Sequence, residues 1–101
     1  MKMLFMLTET WPTESTAEVG KVGVEVLAKA PPPYVKTLGI YIAAGGEGMK
    51  AYNLYAVEKG HVDEGYKELL KVYVPFFSIE GYKVTVEPLL TPEEALSLIG
   101  L

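Results

Sequence analysis

The stretch YVKTLGIYIAAGGEGMKAYNLYAV, residues 34–57, decides the fold. Two apolar runs, 34–44 and 49–57, flank Gly45-Gly46-Glu47-Gly48, and a short glycine-rich connection between such runs reads as a β-hairpin. Working outward, each strand meets an amphipathic helix and then another apolar strand. The pattern β-α-β therefore runs twice, over roughly 2–44 and 49–90. That order specifies an α+β sandwich, βαββαβ, with a four-stranded antiparallel sheet in the order 4-1-3-2. Two helices cover one face, and a short helix ends the chain. The halves match in pattern only, so no solenoid repeat is present. Architecture of this kind hosts many unrelated activities, so function has to be argued from side chains.

The elements have local causes. Residues 2–8 are apolar on both parities, Met3, Phe5 and Leu7 against Leu4 and Met6, as expected of a strand covered on both faces. Ser15-Thr16-Ala17-Glu18 has the spacing of a capping box, and the helix after it runs to about Lys29. Gly20 and Gly23 weaken that helix, and their spacing suggests a close approach to the sheet. Pro31-Pro32-Pro33 ends it. A second helix starts near His61 to Asp63, with Val62, Tyr66, Leu69, Leu70 and Tyr73 on one face, and Pro75 stops it. The last strand, 82–90, carries Pro88, a residue of edge strands. Thr91-Pro92-Glu93-Glu94 combines a cap, a first-position proline and first-turn acids.

Composition removes several functions. At 101 residues the chain is one domain, 1–101, with a single core. Its net charge is -4 and all nine cations are lysines, so the bidentate fork that grips phosphate is missing. Nucleic acid and anionic membrane are therefore not expected partners. With no cysteine there is no disulfide, thiol nucleophile or thiolate metal site. The apolar run behind Lys2 stops at Thr8 and Glu9, short of a secretory core, and no stretch has membrane-spanning length. A cytoplasmic protein without metal or other cofactor is the expectation.

Few residues could host chemistry. His61, the lone histidine, could act as a base at a helix start, but an exposed first-turn histidine is the plainer reading. No ligand set converges with it for a metal. The glycine turn is followed by a strand, whereas phosphate loops lead into a helix. Seven tyrosines are an excess, suited to a core, an interface or a ligand pocket. Asn53 is unusual in a central strand; if buried it needs partners, with Tyr41, Tyr55 or a ligand as candidates. These residues define one candidate pocket between sheet and helices: Tyr41, beside small Gly39 and Ala43, with Asn53, Tyr55 and His61.

The order of elements, with a closing strand Tyr82-Lys83-Val84-Thr85-Val86-Glu87-Pro88-Leu89-Leu90 and the Thr91-Pro92 helix after it, resembles the dimeric α/β-barrel group of ferredoxin-like proteins. The resemblance implies sheet-to-sheet pairing of two copies, and the group includes stress proteins, cofactor-independent monooxygenases and haem-degrading enzymes. Haem-degrading members use an asparagine, a tryptophan and a histidine. Asn53, Trp11 and His61 lie in different elements from those the pattern needs, so these roles do not carry over. A homodimer through the open sheet face also follows from burial, since a bare apolar face would be a large exposed patch. The reading is a noncatalytic protein that binds a small ligand or a partner. The alternative is a cofactor-independent monooxygenase or isomerase using the sheet–helix pocket.

Overall fold

The computed structural model describes residues 2–101 as an antiparallel sheet of four strands with three helices. In chain order these are β1 (Lys2–Trp11), α1 (Thr16–Leu27), β2 (Val35–Gly45), β3 (Gly48–Glu58), α2 (Val62–Tyr73), β4 (Lys83–Leu89) and α3 (Pro92–Ser97). The sheet order is β2-β3-β1-β4, which is 4-1-3-2 counted from the other edge. Pro88 accordingly sits on an edge strand, where its missing N–H costs no ladder bond on the outer side.

Alternation assigns the two faces. Phe5, Leu7, Glu9 and Trp11 of β1 are buried, as are Ala51, Asn53, Tyr55 and Val57 of β3. They meet Val19 of α1, Leu69 and Tyr73 of α2, and Phe76 and Ile79 beyond it. Leu4, Met6, Leu54 and Leu89 share the opposite face, turned away from α1 and α2.

Three local expectations are corrected. First, β1 runs on through Glu9 and Thr10 to Trp11, because it pairs with β3 along its whole length, as far as Trp11 opposite Met49. Second, the Ser15 capping box does not form: the Ser15 hydroxyl instead donates to the Glu80 carbonyl at 3.0 Å. The Thr91 box does form, with Glu94 N–H donating to Thr91 Oγ1 at 3.1 Å and Thr91 N–H to Glu94 Oε1 at 2.9 Å. Third, the close helix-to-sheet contact is made by α2. A Cβ on Gly65 would lie 2.5 Å from Val57 Cγ1, whereas Gly20 and Gly23 face open space. Helix α1 stands off the sheet, and its glycines widen that gap.

Candidate functional site

The expected pocket is half present. Asn53 and Tyr55 point toward the helices and are buried, whereas Tyr41 is 68% exposed on the other face. The cause is a bulge in β2: Thr37 pairs with Tyr55, yet Gly39 rather than Leu38 pairs with Leu54. The extra residue inverts the alternation beyond it. Ile40 and Ile42 therefore take the helix side, and Tyr41 pairs with Tyr52 on the open side. The ring of Tyr41 does fold over small Gly39, where a Cβ would come within 2.6 Å of it. The bulge thus turns the Tyr41 ring to the face opposite Asn53 and Tyr55. His61 is also outside the pocket. It is the N-cap of α2, stacked on Tyr34 with ring centroids 4.6 Å apart, and its Nδ1 lies 3.3 Å from Glu64 Oε1.

Between the sheet and α1 lies a half-open cavity of about 280 Å³, walled by residues such as Val19, Gly23, Ile40 and Met49. Its polar lining comes chiefly from Glu9, Asn53, Tyr55 and Tyr73. Glu9 sits on central strand β1 between Ala51 and Val84, and only 6% of it is exposed. Small Ala51 leaves room for the carboxylate, and Asn53, one residue pair along, reaches it diagonally. Asn53 Nδ2 donates to Glu9 Oε2 at 2.8 Å and to the Leu7 carbonyl at 3.1 Å. Both partners are acceptors, which fixes the amide orientation. Tyr82 Oη donates to Glu9 Oε1 at 2.7 Å.

The phenols form the rest of the network. Tyr55 Oη and Tyr73 Oη are 2.6 Å apart, one donating to the other. Burial raises the pKa values of Tyr55, Tyr73 and Tyr82 above the ordinary phenol value, far above it for the last two. For Tyr82 the hydrogen bond to Glu9 raises it further. These hydroxyls stay protonated and act as hydrogen-bond donors. A phenol whose folded pKa is raised costs nothing below the unfolded value near 10, and stability falls as pH rises beyond it. Absorbance titration should therefore show Tyr55, Tyr73 and Tyr82 resisting ionisation above pH ~10 until the chain unfolds. Titration of all seven tyrosines in one unperturbed step with the fold intact would contradict this network.

Glu9, Tyr73 and Tyr82 are the site residues that sequence reading missed. Glu9 shares its parity with Met3, Phe5, Leu7 and Trp11, so an acid in an otherwise apolar register was the available signal. Trp11 packs over the start of α1, its Nε1 donating to Thr16 Oγ1 at 3.2 Å. Among the described residues no group of three acidic or histidine side chains could hold a metal ion, and no helix is long and apolar enough to cross a membrane.

No protein-family model matches the chain, and no curated protein matches it in sequence. Solved structures do match. One, titled "De novo designed protein Foldit4", superposes with a TM-score of 0.60 at 9% identity, covering 90% of this chain and 99% of its own. At that identity the likeness is one of fold alone.

Proposed function

We propose that the chain binds a small, largely apolar molecule in the cavity between the sheet and α1, holding its polar group against Glu9 and Asn53. The observation that carries this reading is a buried carboxylate–amide pair lining an otherwise apolar space of about 280 Å³. Convergent polar groups in an apolar concavity are what orients a small ligand. Val19, Gly23 and Val26 recur at helical spacing along the inner side of α1, so a side chain at Gly23 would fill the space. Titration with 2-naphthalenemethanol, followed by its fluorescence, should give saturable binding that Gly23→Leu weakens at least tenfold. Absence of binding by this alcohol and by its amine and carboxylate analogues alike, or equal affinity in the variant, would overturn the reading.

A second reading is proton abstraction, as in a cofactor-independent isomerase. It is favoured by the same carboxylate lying in one cavity with protonated Tyr55 and Tyr73, a base beside potential donors to an enolate. Solvent deuterium entering a bound ketone at the carbon next to its carbonyl, and lost in Glu9→Gln, would favour this over binding alone.

A homodimer through the open face belongs to the same proposal. Leu4, Met6, Leu54, Tyr52 and Tyr41 share that face, Tyr52 being 38% and Tyr41 68% exposed. A second copy would bury roughly 800 Å² per partner, the usual size of a stable interface. This is also the pairing expected of the dimeric α/β-barrel group of ferredoxin-like proteins. Light scattering at micromolar concentration should report twice the 11.1 kDa chain mass, and Leu54→Lys should return it to one chain. A wild-type species of one chain mass would end this part of the proposal.

A further inference from the structure

We infer that the cavity selects a compact organic cation, a primary ammonium on a one- or two-ring apolar body, with Glu9 as its counterion. The inference rests on the cavity reading above and adds the charge of the ligand.

Glu9 is buried, both its oxygens accept from neutral donors, and among the described residues it forms no ion pair. A carboxylate fits both contacts, since it only accepts. A buried charge without an opposite charge is costly. No lysine lines the cavity, so the chain supplies no cation there itself. Only two of roughly four lone-pair positions on a carboxylate are taken by Asn53 and Tyr82, leaving acceptor capacity for a third donor. Asn53 spends Nδ2 on Leu7 and Glu9, and its Oδ1 accepts from no described residue, so a second acceptor is available beside the first. An ammonium brings three donors and one positive charge, which answers both the charge and the acceptors.

Size and field agree. An apolar cavity of ~150 Å³ takes benzene, so one of about 280 Å³ takes a two-ring body. The net charge of -4 favours approach of a cation and opposes that of an anion.

The test uses three probes of one shape: 2-naphthylmethylamine, 2-naphthalenemethanol and 2-naphthoate. In the wild-type chain, calorimetric titration should rank the amine at least tenfold tighter than the alcohol, with the carboxylate weakest. Glu9→Gln keeps the shape, removes the charge and turns one of the two acceptors into a donor, and should bring amine and alcohol to equal affinity. The wild-type comparison stands without the variant, should Glu9→Gln fail to fold. Equal binding of amine and alcohol by the wild type would overturn this inference and leave the cavity reading in place. Failure of all three probes to bind would overturn both.

Discussion

Asn53→Leu should lower unfolding stability by about 3 kcal/mol, because it removes one of the two donors that hold a buried carboxylate and leaves that oxygen unsatisfied. Leucine matches asparagine in branching and heavy-atom count, so most of the loss reports the polar contact. The Leu7 carbonyl loses its side-chain donor as well. Replacing the whole network, Glu9→Leu with Asn53→Leu and Tyr82→Phe, should recover most of the loss, since taking away both partners of a hydrogen bond costs far less than orphaning one. Urea unfolding of the wild type, the single and the triple variant measures all three. A single-variant loss below about 1 kcal/mol would mean that water reaches Glu9, and the buried site would not stand.

Gly65→Ala should destabilise by about 2 kcal/mol even though alanine is the better helix former. The new methyl would meet Val57 at 2.5 Å, and Val57 is fully buried in the core with nowhere to yield. Val57→Ala in the same chain should recover part of that loss by relieving the overlap. Gly20→Ala and Gly23→Ala should do the opposite and stabilise by about 1 kcal/mol each, because they meet open space. Thermal melts of the three alanine variants decide the matter through the sign of the shift. Destabilisation at Gly20 and Gly23 would mean that α1 lies closer to the sheet than described.

Much of the architecture was legible because alternation and breakers are local signals. The hairpin over Gly45-Gly46-Glu47-Gly48, which the strands tighten to a two-residue turn at Gly46-Glu47, the end of α2 ahead of Pro75, the edge position of Pro88 and the Thr91 cap each follow from neighbouring residues. The site was less legible because its contacts are not local. Glu9 reads as the polar end of an apolar run until its pairing with β3 carries the strand on to Trp11. Ser15 has the right spacing for a cap, but the Glu80 carbonyl, far along the chain, takes its hydroxyl. Asn53 was singled out as a polar residue in a strand, yet its partners belong to β1. Tyr41 failed for another reason. Alternation counted from Val35 passes through Leu38 as if every residue crossed the sheet, and the bulge adds one that does not pair.

That unpaired residue also decides where the gene tolerates a change of length. Loss of the Leu38 codon would turn an irregular ladder into a regular one, with Val35, Thr37, Ile40 and Ile42 still on the helix side. Loss of one codon from the middle of β1, whose ladders to β3 and β4 run unbroken, would instead carry Glu9 and Trp11 to the opposite side of the sheet. Reading-frame-preserving deletions are therefore absorbed at the β2 edge and lethal to the cavity one strand further in.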